Sequence, residues 1–223
     1  MFVKDRARSG IIVLPCGAGK TLVGIMAVCQ MKCRTLIMCI NNLTVKQWYR
    51  QVENFTNVNM NKVFKFLSET KDEAIPDLTS PCIVISTYSM LSKKDDLRSE
   101  YSRNYVNAIG SVEWGLLVLD EVQVAPAEVF KRAFLTKARS HCKLGLTATL
   151  IREDNKIEDL QFYIGPKLYE ENWIELTKKG FLARVQCIEI RVNMAKPFMQ
   201  EYLKKIFEEK QLSPEHVDLP LHG

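Results

Sequence analysis

Leu14-Pro15-Cys16-Gly17-Ala18-Gly19-Lys20-Thr21 decides the fold. The stretch leaves an apolar run, Ile11-Ile12-Val13-Leu14, that reads as a buried strand, and it enters residues 20–31, which read as a helix. A glycine-rich turn in that setting lets backbone N–H groups curl around a phosphate. Lys20 then neutralises phosphate oxygens, the Thr21 hydroxyl ligates Mg²⁺, and the helix N-terminus adds its dipole. Leu14 through Thr21 are therefore the candidate residues for binding the phosphates of a nucleoside triphosphate. The full phosphate-loop pattern wants Gly where Leu14 stands, so only its second half, GxGKT, is present. By itself the stretch is also compatible with a glycine-rich turn ahead of a core helix.

Working outward, short apolar runs alternate with helical spacing. Residues 35–40 read as a strand, and residues 43–55 have helical spacing around Trp48. Residues 82–86 and 116–119 are two more buried runs, residues 126–138 open with Pro at a plausible first helical position, and residues 144–147 close the series as a strand. Continuous apolar strands separated by helices predict parallel βαβ units with both sheet faces covered. The predicted architecture is α/β, a RecA-like, doubly wound, mostly parallel sheet forming a phosphate-loop NTPase lobe with a helical C-terminal tail. Residues 157–164 and 173–179 read as helices, residues 185–192 as a further strand, and residues 197–211 as an amphipathic helix. The charged segment 92–104 reads as a solvated loop or helix face. The predicted division is a nucleotide-binding lobe over 1–192 and a helical extension with a disordered end over 193–223.

Composition narrows the class. The chain has 223 residues, 47% of them hydrophobic and 26% charged, which excludes intrinsic disorder. Ten Gly and eight Pro exclude a collagen-like fibre. The net charge of +5 permits a nucleic-acid or phosphate partner without demanding one. Seven cysteines, an odd number scattered among apolar residues, predict buried thiols in a reducing compartment. No apolar run approaches the roughly 20 residues that span a bilayer, so the reading is a soluble intracellular protein with no membrane partner.

Two further motifs turn the phosphate-loop reading into a class. Leu116-Leu117-Val118-Leu119-Asp120-Glu121 is an apolar strand ending in two acids. Alone, such a pair is an ordinary helix cap. After a phosphate loop, Asp120 is the candidate second Mg²⁺ residue beside Thr21, and Glu121 the candidate that orients and deprotonates the attacking water. Gly145-Leu146-Thr147-Ala148-Thr149 then supplies a Thr-Ala-Thr triplet at the end of a strand. The set GxGKT, DEVQ and TAT, in that order, resembles superfamily 2 helicases and translocases, where such hydroxyls couple hydrolysis to the nucleic-acid track. The guanine-reading NKxD of small GTPases does not occur.

The resemblance is closer than the superfamily. Arg6-Ala7-Arg8-Ser9-Gly10 leading into LPCGAGKT, Ile85-Ser86-Thr87-Tyr88-Ser89-Met90-Leu91, Glu113-Trp114-Gly115-Leu116, the run from His141 to Thr149, Arg152-Glu153-Asp154 and the run from Ile164 to Glu170 are similar to the first motor lobe of the XPB/Rad25 family of DNA helicases. That family is the translocase subunit of TFIIH. The resemblance implies ATP as nucleotide, DNA as track, 3′→5′ polarity, a nuclear location and TFIIH-like partners. It implies catalytic roles for Lys20, Asp120, Glu121 and Gln123, and coupling roles for Thr147, Ala148 and Thr149. It also implies DNA contacts at Thr87, with the Asn41-Asn42 loop, and at Arg152, Glu153 and Asp154. Read alone, the last three are a charged helix start and Tyr88 and Met90 are core.

Two departures matter. The family box reads DEVH, and here Gln123 replaces the His. Glutamine still hydrogen-bonds but takes no charge, so altered coupling with retained ATP binding is expected. The chain also holds one motor lobe where a helicase uses two. The expectation is weak ATP binding and little hydrolysis without the arginines of a second lobe, which are worth roughly 10³–10⁵ in rate. The competing reading is a non-catalytic nucleotide-binding module that docks in a TFIIH-like complex.

Overall fold

Strands that are mostly apolar must be covered on both faces, and the sheet of this protein is built on five strands buried along most of their length. A computed structural model describes residues 2–3, 6–67, 75–124, 138–149, 157–190, 192 and 194–210. A short antiparallel pair, β1 (Phe2–Val3) and β2 (Arg6–Ala7), comes first. The main sheet then takes β3 (Gly10–Val13), β4 (Thr35–Cys39), β5 (Val63–Phe66), β6 (Ile83–Thr87), β7 (Trp114–Leu119), β8 (Ser140–Thr147) and β9 (Lys167–Glu170). These seven strands lie in the order β5-β6-β4-β7-β8-β3-β9, and every pairing is parallel.

The helices described are α1 (Lys20–Met31), α2 (Asn42–Phe55), α3 (Tyr88–Ser92), α4 (Glu100–Ser111), α5 (Ile157–Ile164), α6 (Trp173–Lys178) and α7 (Lys196–Lys210). α1 and α2 bury Ile25, Val28, Val45, Trp48 and Val52 against one face of the sheet. α3, α4 and α5 bury Tyr88, Leu91, Tyr105, Ile109 and Leu160 against the other. Gly24 lets α1 press close on α2, because a Cβ there would stand 2.5 Å from the Trp48 ring. Trp48 and Trp114 are wholly buried, and truncating either to Ala is expected to cost about 3–5 kcal/mol.

The sequence reading and the structure part at identifiable places. Residues 92–104 are not simply a solvated face: Arg98 is buried and donates to the carbonyls of Leu91, at 2.9 Å, and Met90, at 2.5 Å. α4 follows, and its charges sit outside a buried seam of Tyr105, Val106 and Ile109. Strands β5 and β9 went unpredicted because edge strands are short and half polar, here VFKF and KLYE. The strand predicted over 185–192 is absent among the described residues, and Val185, Ile188 and Ile190 stand 70–78% exposed. An alternating run becomes a strand only when a neighbouring strand pairs with it.

By its contacts the chain divides into two units, Met1–Ala183 and Arg184–Gly223. The first holds the sheet and all helices through α6; the second holds α7. Among the described residues no helix is long and apolar enough to cross a membrane. The predicted helix over 126–138, except Ala138, lies outside the described residues, as do Arg152, Glu153, Asp154 and residues 213–223.

Candidate active site

All seven strands point the same way, so the ends of β3, β7 and β8 deliver their loops to one rim. β3 stops at Val13, and the buried Leu14 donates its N–H to the Thr147 carbonyl at 2.9 Å. Leu14 thus ties the loop to β8 through its backbone, while its side chain joins the core. Pro15 accepts from the Ala18 N–H at 3.1 Å to close the turn. Gly17 and Gly19 hold φ of 81° and 87°, a left-handed conformation that side chains disfavour. Gly19 caps α1, and a Cβ placed on it would meet nothing within 4 Å. Gly19 therefore faces open space at the positive end of a helix that has no acidic residue in its first turn, while a Cβ on Gly17 would stand 3.3 Å from the Leu182 side chain. Cys16 is exposed, and Lys20 and Thr21 stand half-buried at the loop's end.

Across the rim, β7 ends in Asp120 and Glu121. Asp120 is 5% exposed. Its Oδ2 accepts from Trp48 Nε1 at 2.8 Å, and its Oδ1 accepts from the Glu121 N–H at 3.1 Å. Burial lifts the Asp120 carboxyl above its ordinary value of 3.8; the Trp48 hydrogen bond opposes the rise, the Glu121 charge adds to it and Lys20 counters it. Glu121 adopts φ 47°, a left-handed conformation unusual outside glycine, and the local turn is thereby forced. Strain of this kind collects at functional sites.

Glu121 joins the two halves of the rim. Its Oε1 lies 3.4 Å from Lys20 Nζ, and its Oε2 accepts from Gln123 Nε2 at 2.8 Å. The other end of the same carboxamide, Gln123 Oε1, accepts from Thr147 Oγ1 at 2.5 Å. Thr147 Oγ1 stands equally close, 2.5 Å, to the Thr149 carbonyl, and it accepts from the Thr149 N–H at 3.2 Å. One hydroxyl proton thus has two acceptors. Thr147 is wholly buried, Ala148 half-buried and Thr149 exposed. A continuous polar chain runs Lys20–Glu121–Gln123–Thr147–Thr149.

The remaining site residues sit further along the rim. Thr87 is 2% exposed, and its hydroxyl caps α3 by accepting from the Met90 N–H at 3.3 Å. The exposed hydroxyl of that turn is Ser89, 3.0 Å from Thr87 Oγ1. Asn41 is exposed and caps α2, accepting from the Thr44 N–H at 2.9 Å.

Residues 2–152 match the family of the type III restriction enzyme res subunit. The chain belongs to that family. It is similar in sequence to XPB, the helicase/translocase subunit of general transcription and DNA repair factor IIH, in several organisms. The Drosophila melanogaster protein is 47% identical over 213 residues, which is 95% of this chain and 26% of the relative. The Encephalitozoon cuniculi protein is 49% identical over 95% of this chain and 31% of the relative. The Saccharomyces cerevisiae subunit XPB/SSL2 is 47% identical over 95% and 25%. The chain therefore spans a quarter to a third of the length of these relatives. Among solved structures, the Pyrococcus furiosus Hef helicase domain superposes with TM-score 0.59 at 18% identity, covering 96% of this chain and 48% of that one. The UvsW helicase of bacteriophage T4 gives 0.55 at 15% identity, covering 73% and 54%. These two likenesses fix the fold as the RecA-like lobe of such helicases.

Three side chains that lie beside the candidate site, Trp48, Tyr88 and Ser89, have no role readable from the sequence. Trp48 and Tyr88 look like core aromatics, and they are buried, but each spends its polar atom on Asp120. Ser89 lies in the run from Ile85 to Leu91 that carries the resemblance, with no role of its own assigned there. A long-range partner such as Trp48 with Asp120 leaves no local signal in sequence.

Proposed function

We propose that the chain is the ATP-hydrolysing lobe of an XPB-type DNA translocase. It would move 3′→5′ in transcription initiation and nucleotide excision repair, working in the nucleus within a TFIIH-like assembly and with a second motor lobe. The observation that carries this reading is the unbroken chain from Lys20 through Glu121 and Gln123 to Thr147. It joins the phosphate loop to the triplet at the end of β8.

Lys20 and the N–H groups of residues 17–21 bind the ATP phosphates. On binding, Lys20 leaves Glu121 Oε1 for the phosphate oxygens. That frees Oε1 to take the proton of the attacking water, while Gln123 keeps Oε2 fixed. Thr21 and Asp120 are hard oxygen donors of the kind Mg²⁺ takes. Each oxygen of Asp120 accepts one hydrogen bond, leaving about two of a carboxylate's four acceptor positions for metal-bound water. Mg²⁺ held there would neutralise the charge on the transferring phosphate. Gln123 passes the state of Glu121 to Thr147, whose proton can turn from Gln123 to the Thr149 carbonyl. Asn41, Ser89 and the Thr87 turn grip the DNA backbone without reading sequence, and Arg152, Glu153 and Asp154 engage the strands.

A triplex-displacement assay on the chain joined to its second lobe tests the proposal. Displacement should need ATP, proceed 3′→5′ on the tracked strand, and vanish in Lys20→Ala. ATP binding with no Lys20-dependent turnover in that assembly would instead make the chain a nucleotide-binding docking module.

A further inference from the structure

The two turns expected to hold the DNA backbone each lead to an aromatic side chain bonded to Asp120. α2 opens at Asn41 and carries Trp48, which donates to the Asp120 carboxylate at 2.8 Å. α3 opens at Thr87, and the next residue, Tyr88, donates its hydroxyl to the Asp120 carbonyl at 2.8 Å. Tyr88 is 5% exposed and packs in one cluster with Leu119 and Val122, the residues flanking the acid pair. Its hydroxyl is the only polar atom of a ring in an apolar core, where an unmade hydrogen bond is costly. Burial pushes the Tyr88 hydroxyl well above its ordinary pKa, so it stays a donor. The Asp120 backbone is held by its N–H as well, which donates to the Met38 carbonyl of β4 at 2.9 Å.

We propose that Tyr88 is a positioning residue that ties the Thr87 turn to Asp120, so that DNA bound at the turn and ATP–Mg²⁺ bound at the rim strengthen each other's binding. The proposal rests on the translocase reading above. Between Thr87 and Asp120 the path is one residue and one hydrogen bond, through close-packed interior that transmits a shift instead of absorbing it. Trp48 reaches the carboxylate itself, so its expected effect is on ATP–Mg²⁺ affinity whether or not DNA is present.

Tyr88→Phe keeps the ring and removes only the hydroxyl. In the chain joined to its second lobe, the affinity for a fluorescent ATP analogue with Mg²⁺ is measured with and without saturating DNA, and DNA affinity with and without nucleotide. Linkage requires the two coupling factors to be equal, and such factors run at about 5–150-fold. Tyr88→Phe should bring both factors toward one by the same ratio while each affinity measured alone stays within about twofold. Trp48→Phe should weaken ATP–Mg²⁺ binding and keep the factor. Wild-type coupling in Tyr88→Phe overturns the proposal and leaves the translocase reading standing. So does a loss of both stand-alone affinities together with thermal stability, which would mark a purely structural role. Lost coupling in Trp48→Phe alone would move the link to α2. No coupling in the wild-type protein would sink the translocase reading itself.

Discussion

At the carboxyl ends of β3, β7 and β8 the sheet carries a phosphate loop, two acids and a hydroxyl relay. At its amino ends it carries a cavity of about 520 Å³ lined by residues such as Val28, Cys33, Val58, Cys82 and Ile83. The difference teaches that a cavity does not by itself mark the chemistry; the direction of the strands does. In a parallel sheet the carboxyl ends feed helix N-termini, where N–H groups and the dipole favour anions. The amino ends receive helix C-termini, whose carbonyls disfavour phosphate. Lys32, at the C-cap of α1, and Lys62 bring positive charge to the cavity. At the carboxyl rim, the polar atoms of Lys20, Glu121, Gln123 and Thr147 are spent on one another.

The largest effect belongs to the rim. In the two-lobed protein with DNA, Lys20→Ala should lower ATP hydrolysis about 10²–10³-fold, the scale of losing one preorganised group at the developing charge. Lys62→Ala at the cavity should leave turnover within about twofold; a comparable loss there would break the contrast. Asp120→Asn should abolish Mg²⁺-dependent hydrolysis and at the same time raise the urea midpoint of the nucleotide-free chain at pH 7. The sign follows from burial, which holds the folded Asp120 pKa above its unfolded value of 3.8. The charged form is then disfavoured in the folded state, a penalty present above the folded pKa and absent below the unfolded one. The stabilisation by Asn should therefore fade as the pH falls toward that value, and a lowered midpoint at pH 7 would contradict it.

Gln123→Glu sets a second carboxylate beside Glu121 and removes an amide donor. A hydrogen bond to a charged group is worth about 1.5–3 kcal/mol, so kcat should fall roughly tenfold to a hundredfold. Gln123→His, which can donate with one nitrogen and accept with the other, should keep turnover at neutral pH. It should lose turnover below about pH 6.5, where the protonated ring no longer accepts from Thr147. A flat pH profile would show that the Thr147 link is dispensable. The smallest effect is on labelling. Cys16 in the loop is exposed, whereas burial lifts the Cys82 thiol to about 11. At pH 8 a thiol-alkylating reagent should modify Cys16 and spare Cys82, and Mg²⁺–ATP should protect Cys16 but not the exposed Cys187. Protection of neither cysteine would place the nucleotide elsewhere.

How far the sequence could be read follows the same division. The rim was legible because its chemistry is local: GxGKT, DEVQ and TAT each sit within a few residues at the end of one apolar run, and those runs are the central strands. α1 begins and ends where its spacing predicted. Edge strands β5 and β9 escaped because half-exposed, mixed residues carry little period. The run over 185–192 alternates like a strand, but alternation states a preference and not a partner. The resemblance implied a DNA contact at Thr87, and its burial as the cap of α3 appears only once that helix is folded. The bonds of Trp48 and Tyr88 to Asp120 span 72 and 32 residues, distances at which only the fold brings groups together.

The most direct test of the account is ATP turnover by this chain measured alone, with a second XPB-type motor lobe, and with that lobe plus DNA, each beside Lys20→Ala. The chain alone should bind nucleotide with little turnover. The second lobe and DNA should raise turnover by about 10³–10⁵, all of it lost in Lys20→Ala. Robust Lys20-dependent hydrolysis by the chain alone, or turnover in the full assembly that survives the loss of Lys20, would contradict it.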